Sequence, residues 1–347
     1  MARILLVGNF AQKIPGGFYY NVDHKLRAAF LRLGHVVLDF SDRDQARLGN
    51  IFGNRKLGVG AANKKLLETV INFRPDCIVL GHTNIIANQT LSTIRSQFPH
   101  IRIGVFNVDS LALASHQSNV RHLLGRADVV DGLFISTAGE MLRQFKRSNN
   151  FVAYLPNPID PAMEDLQNFA HSNLPYDLVF AVGGIDNPND SRLQIAMSLR
   201  AALADVKCQW RGMFDQPAVF GRAYYDMLAS AKMGLNFSRP NDAYWYASDR
   251  ISHLLGCGLL TFTAASTGFQ ELFSEQEMVF FTSPADLAEK IRYYARDNTA
   301  RQTVAKAGWE KAHRYFNADL IARYMLELLL DRASDAQNYL WAKEVYA

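Results

Sequence analysis

Cysteine is scarce: three in 347 residues, Cys77, Cys208 and Cys257, an odd number with no C-x-x-C or Cys/His spacing. That argues against a disulfide framework or a cysteine-bound zinc and fits a reducing compartment. Long apolar runs are missing as well. Nowhere do about 18 apolar residues follow one another, so no transmembrane helix is expected. The opening "MARILLVGNF" carries only a short apolar run without a cleavage signal, and reads as a first strand rather than a signal peptide. A strong charge imbalance is lacking too. The net charge of +4 suits an anionic ligand but is too weak to argue for nucleic acid. The expected location is therefore cytoplasmic. No G-x-G-x-x-G or P-loop fingerprint occurs. The one D-x-D match, "DRD" at 42–44, follows the second strand of the first half and is discounted, so no metal site is expected.

What the chain has is rhythm. With 49% hydrophobic and 20% charged residues, it can fill more than one core. Short all-apolar runs alternate with amphipathic stretches, the pattern of parallel sheets covered on both faces. In the first half the strands are "RILLVG" (3–8), "VVLDF" (36–40), "DCIVLGH" (76–82), "IRIGVFNVD" (101–109) and "GLFIST" (132–137). "VAYLPNPIDP", with Pro156, Pro158 and Pro161, breaks the alternation and reads as a stiff crossing between domains. A second series follows: "DLVFAVGG" (177–184), "VKCQWRG" (206–212), "MGLNFS" (233–238), "GLLTFT" (258–263) and "EMVFFT" (277–282). Ser283 is the expected cap of the next helix, with Pro284 its first residue. The expected fold is α/β, two Rossmann-like domains facing each other across a cleft: residues 1–155, residues 156–330, and a tail, 331–347, that can pack back on the first domain.

Ligands of open α/β sheets bind beyond the carboxyl ends of the strands. There the second half offers Gly183 and Gly184, which allow close backbone approach, and Arg192 at the next helix start; by themselves these fit a phosphate cradle or a plain turn. Arg211, Asn236 and Ser238 end the next two strands. In "ASDRISHLLGCGLLTFTAASTGFQELF", Arg250 and His253 stand three apart on one helix. The small-residue loop beyond offers Thr267 and Gly268 to an anion. The alternative is a structural Asp249–Arg250 contact beside a hydrogen-bonded His253.

The ordered series "YYDMLASAKMGLNFS", "DRISHLLGCGLLTFT", "FQELFSEQEMVFFTSPADLAEKIRYYARD" and "ARQTVAKAGWEKAHRYF" resembles the glycosyltransferase domain of the CgeB-like, spore-maturation-protein-like group. These are bacterial proteins of the GT-B type. The resemblance covers residues 175–330 and, more loosely, "RILLVG", "LRAAFLRLGH", "RPDCIVLGH", "GVFNVDS" and "YLPNPID" in the first half. It implies transfer of a sugar, hexosyltransferase-like, from a nucleotide-sugar held by the C-terminal domain. Arg192 and Arg250 then resemble donor-phosphate ligands, and Gly183, Asn236, Ser238, Thr267 and Gly268 parts of the pocket wall. Where the family pattern reads Arg-x-x-Glu, this chain has Arg250 and His253. A histidine can still accept one hydrogen bond and donate another. Fixed arginines can stabilise a leaving diphosphate without a metal, so metal-independent transfer with no separate cofactor is expected.

The acceptor, a glycan, a lipid-linked precursor or a protein, is expected on the first domain. Gly16, Gly17 and Tyr19 lie in a loop after the first strand that suits acceptor binding or is a plain surface loop, and His116 lies further on. An inverting enzyme needs a general base here, and Asp109 or His82 are best placed; a retaining one needs none. The basic residues Arg43, Arg47, Arg55, Lys56, Lys64 and Lys65 read as a solvated face, or as an acceptor or peripheral patch on the inner face of the membrane. Two rivals share the scaffold: a sugar-nucleotide epimerase or phosphorylase, and a non-catalytic GT-B-like binding protein.

Overall fold

A computed structural model describes residues 1–10, 15–112, 117–185, 187–331 and 339–347. They form two compact units, Met1–Pro158 with Ala318–Ala347, and Ile159–Asn317. Among them no helix is long and apolar enough to cross a membrane.

In the first unit the apolar runs become parallel strands, covered on both faces except at one edge strand, where Val36 and Leu38 are exposed. The strands are β1 (Arg3–Gly8), β2 (Val36–Ser41), β3 (Cys77–Leu80), β4 (Arg102–Asn107) and β5 (Gly132–Ile135), with β3 and β5 buried along their whole length. Two further strands extend the sheet. β6 (Phe151–Tyr154) pairs in parallel with β5, and the two-residue β12 (Val345–Tyr346) runs antiparallel to β6. The order is β12-β6-β5-β4-β3-β1-β2. The stretch read as a crossing is thus half strand: Val152, Ala153 and Tyr154 are buried, and only past them do prolines remove the amide donors a ladder needs.

Helices α1 (Val22–Arg32), α2 (Asp42–Leu48), α3 (Val59–Phe73), α4 (Asn88–Gln97), α5 (Gln117–Ala127) and α6 (Glu140–Arg143) connect the strands. The Asn21 side chain caps α1 by accepting from the His24 amide at 3.0 Å. α12 (Ala318–Leu326) also belongs here, although residues 318–330 read from the sequence as the end of the second domain. It packs along α1, and Asp319 Oδ1 lies 2.6 Å from Arg32 Nη2. Helical periodicity shows that a face is buried but not which sheet buries it. The tail then returns: Trp341 is fully buried against Tyr324 and Tyr339, and Glu344 accepts from the Gly139 amide at 2.8 Å.

The second unit holds β7 (Tyr176–Ala181), β8 (Cys208–Arg211), β9 (Ala231–Asn236), β10 (Leu260–Ala264) and β11 (Val279–Phe281), all parallel, in the order β11-β10-β9-β7-β8. Its helices are α7 (Ser191–Ala202), α8 (Arg222–Ala229), α9 (Arg250–Gly256), α10 (Pro284–Arg296) and α11 (Asn298–Tyr315). Ser283 caps α10 and Pro284 opens it, as the sequence indicates. Phe180, Leu235 and Phe262 from the sheet pack with Leu287 and Ile291 of α10 in one core. Each such side chain contributes about 2 kcal/mol by leaving water.

Strand order reverses between β1 and β3 in one unit and between β7 and β9 in the other. Such a reversal splays the flanking connections apart and opens a crevice at the carboxyl ends of the two strands.

Candidate active site

In the second unit that crevice is spanned by one side chain. Arg250, the first residue of α9, donates from Nε to the Ala181 carbonyl at the end of β7 (2.9 Å) and from Nη1 to the Phe237 carbonyl just past β9 (3.1 Å). Its guanidinium lies 5.3 Å from the centre of the Phe180 ring. Burial, and then the nearby charge of Arg192, lower its pKa. Among the described residues Nη2 makes no hydrogen bond. The guanidinium is therefore locked by two of its nitrogens, with a third left over. Gly183 and Gly184, following β7, are exposed, and a Cβ at either would meet nothing within 4 Å.

Arg192 is anchored beside them. Asp190, the buried N-cap of α7, accepts from the Arg192 amide (2.9 Å), from Nε (3.0 Å) and from Nη2 (2.8 Å). Arg239 lies 3.2 Å from the same carboxylate. Burial would raise the Asp190 carboxyl, but the bonds and charge of Arg192, with the charge of Arg239, outweigh it and hold the pKa below its ordinary value. One buried acid thus organises two cations at the helix start. Neither Asp190 nor Arg239 was singled out from the sequence, although an Asp before a helix start is a readable cap signal.

A cavity of 820 Å³ adjoins the ends of β9, β10 and β11, lined by Ser191, Gln194, Phe237, Asn241, Ser266 and Thr282 among others. Its size and its mixture of aromatic and polar walls suit a small organic ligand. Ser238 lies beside it, its amide donating to Asn241 Oδ1 at 2.8 Å and its hydroxyl 3.2 Å from that of Ser248.

The other sequence candidates are engaged elsewhere. Asn236 donates to Thr263 Oγ1 across the ladder at 3.2 Å. Arg211, on edge strand β8, reaches Gln216 at 3.4 Å. Thr267 donates its hydroxyl to the Ala264 carbonyl, and the carbonyls of Thr267 and Gly268 receive the Trp245 amide and indole N–H. His253 turns away from the strand ends. It is buried, with Nδ1 2.7 Å from Glu164 Oε1, which also accepts from Tyr225 at 2.8 Å. Three residues along a helix is about 300°, close enough to share a face by count, yet α9 sends Arg250 and His253 in different directions.

In the first unit, His82 and Asp109 follow β3 and β4, adjacent strands, and the structure brings His82 Nδ1 within 3.4 Å of Asp109 Oδ2. They line a cavity of 330 Å³ with Arg43, Asn84, Asn107, Asn119 and His122. Asn119 donates to Asn107 Oδ1 at 2.9 Å, and Asn107 donates to the Asp109 carbonyl at 2.8 Å, so the floor is hydrogen-bonded in place. Burial, then the charges of Arg126 and His82, push His122 down to about 4 and keep it neutral at pH 7. The fully buried Arg126 donates to the Thr83 and Ile86 carbonyls and to Asn88, fixing the loop after β3.

Asp23, which the sequence did not single out, occupies the reversal itself. A Cβ at Gly8 would lie 2.0 Å from Asp23 Oδ1, and one at Gly81 2.7 Å, so only glycine at both strand ends admits the carboxyl. Burial, reinforced by the charge of Asp42 and opposed by the Asn9 amide, raises it to about 7; burial raises Asp42 to about 6. Of the acceptor candidates, Gly16 and Gly17 lie in the turn before α1, Tyr19 stacks edge-on with Tyr20 at 5.4 Å, and His116 falls outside the described residues.

Comparison with known proteins accords with this geometry. Residues 172–327 match a family model described as glycosyl transferase-like. No curated protein is detectably similar in sequence. Among solved structures, a sucrose-phosphate synthase from Thermosynechococcus elongatus superposes with a TM-score of 0.62 at 14% identity, over 94% of this chain and 98% of that one. HepE from Anabaena, in complex with UDP-glucose, has a TM-score of 0.62 at 14% identity, covering 95% and 100%. A glycosyltransferase from Rickettsia africae has a TM-score of 0.61 at 12% identity, covering 95% and 98%. The fold of this chain is GT-B, and residues 172–327, most of them in its second unit, are similar to a glycosyl transferase-like domain.

Proposed function

We infer that this protein is a glycosyltransferase that moves a sugar from a nucleotide-sugar, UDP-linked as in the HepE complex, to a hydroxyl of a glycan, lipid-linked or protein acceptor. The observation that carries this reading is Arg250, held across the β7 and β9 ends by two backbone carbonyls with Arg192 alongside. Such a pair needs no reorganisation when charge develops on a departing diphosphate, which is where an electrostatic site is most effective. The exposed Gly183 and Gly184 backbone lets the phosphates come close, and the adjoining cavity accepts the nucleoside.

In the reaction the bond between the anomeric carbon and the diphosphate oxygen breaks, and its electron pair leaves with the nucleotide. The acceptor oxygen forms the new bond to that carbon. His82, backed by Asp109, takes the acceptor proton, the role of a general base in an inverting transfer. Because arginines neutralise the leaving group, transfer is metal-independent in this reading. The ordered series of motifs over residues 175–330 supports a CgeB-like bacterial enzyme of glycan biosynthesis.

The test is thermal stabilisation by UDP, GDP, CMP and dTDP, followed by sugar release from the corresponding donor with and without chelator. Stabilisation by UDP and chelator-resistant release are expected. A melting temperature unmoved by every nucleotide refutes the proposal.

A further inference from the structure

Between Asp44 and Glu68 the chain carries no acidic residue but five cations, Arg47, Arg55, Lys56, Lys64 and Lys65. The structure adds what the sequence could not show: the apolar residues interleaved with them face water. Leu48 is 72% exposed, Ile51 93%, Phe52 76% and Leu57 63%. One exposed aliphatic side chain is ordinary, but four within ten residues form a patch that calls for a partner.

The patch is built rather than loose. The Asn50 side-chain amide donates to the Ala46 carbonyl at 2.9 Å and to the Asn54 carbonyl at 2.8 Å, while its oxygen accepts from the Asn54 amide at 3.1 Å. Asn54 in turn accepts from the Lys56 amide at 2.9 Å. Gly58 closes the segment so tightly on α2 that a Cβ there would lie 1.6 Å from the Ala46 carbonyl. Within this loop the amides of Gly53, Asn54, Lys56 and Leu57 are hydrogen-bonded internally, and its apolar side chains are exposed. Arg55 and Lys56 stand exposed between Phe52 and Leu57; the acids bounding the stretch are engaged, Asp44 buried against Arg47 at 2.7 Å and Glu68 3.9 Å from Lys64.

We propose that the loop and helix ends from Leu48 to Leu57 dock on an anionic lipid bilayer, with Ile51 and Phe52 entering the headgroup boundary and Arg55 and Lys56 pairing with lipid phosphates. Charge complementarity selects this occupant: a purely apolar partner would leave the cations unanswered, and a stretch without acidic residues matches an anionic membrane face. Apolar insertion and basic attraction to anionic lipid together set the strength of interfacial binding.

Flotation of the full chain with vesicles of phosphatidylglycerol and phosphatidylcholine in equal parts tests this against vesicles of phosphatidylcholine alone. Binding to the anionic vesicles only is expected, weakening as ionic strength rises from about 0.1 to about 1 M and the Debye length shrinks from ~10 to ~3 Å. The paired substitutions Ile51→Ser with Phe52→Ser, and Arg55→Glu with Lys56→Glu, should each lower the partition by about tenfold or more. Both pairs should leave the circular dichroism, the melting temperature and UDP stabilisation unchanged, since these side chains touch solvent. Absence of binding by the unaltered chain overturns the proposal, as does equal binding by either pair. So does a dimer in sedimentation velocity that the Ile51/Phe52 pair converts to monomer, which would assign the patch to a second copy of the chain.

Discussion

Replacing Arg250 with alanine should cost both stability and nucleotide affinity, and the two losses can be separated. In the folded chain its guanidinium satisfies the Ala181 and Phe237 carbonyls at 2.9 and 3.1 Å. Deleting it strands two acceptors at partly solvated strand ends, at about 1 kcal/mol each. Loss of the Phe180 face adds roughly 0.5–1 kcal/mol. The sum, about 2–3 kcal/mol, corresponds to a fall in Tm of roughly 5–10 °C. Binding of UDP should weaken by a further 1.5–3 kcal/mol or so, the scale of a charge-assisted hydrogen bond, which is roughly ten- to a hundredfold in Kd. Isothermal titration well below the melting point measures the second loss without the first. Arg250→Lys discriminates further: an ammonium keeps the charge but cannot fork between two carbonyls and a third partner, so it should recover less than half of the lost affinity. A folded Arg250→Ala chain with unaltered UDP affinity removes this residue from the site and, with it, the central argument for the proposed function.

Three other outcomes follow from the same geometry. His82→Asn should lower turnover by about 10²- to 10⁴-fold while leaving UDP affinity unchanged, and full turnover in that variant would rule out His82 as the base. Asp23 should make the fold less stable as pH rises. Its folded pKa of about 7 lies above the 3.8 of an unperturbed aspartate, so between those values the native state binds the extra proton and stability falls toward neutrality. Asp23→Asn should flatten that decline and stabilise the chain at pH 8 by at most about 4 kcal/mol, read from urea denaturation across pH; an unchanged slope refutes the assignment. Trp341→Ala should cost about 3–5 kcal/mol, since the indole is fully buried against Tyr324 and Tyr339, and a loss under about 1 kcal/mol would mean that the tail contributes little.

Where the sequence was legible, local chemistry carried the signal. The all-apolar runs from Ile4 to Val7 and from Leu260 to Phe262 announce strands with two covered faces, and Ser283-Pro284 announces a helix start. All are observed. His82 and Asp109 could be picked because each ends a strand, and strand ends share one edge of a parallel sheet. β12 escaped because two residues have no period, and β6 because its apolar stretch runs into prolines. The sequence places residues 318–330 with the second domain because Asn317 interrupts the helical run without glycine or proline to mark a change of unit.

The sequence by itself determined the class of architecture, two alternating α/β series, because burial on one or two faces leaves a periodicity in the order of residues. Tertiary structure alone decided which polar side chains meet. Arg250 and His253 lie three residues apart, yet one spans two strand ends and the other closes on Glu164, 89 positions away. Asp23 finds room only because Gly8 and Gly81 converge from different strands. Such encounters depend on strand order and on the direction of each side chain, and neither quantity is local to the chain.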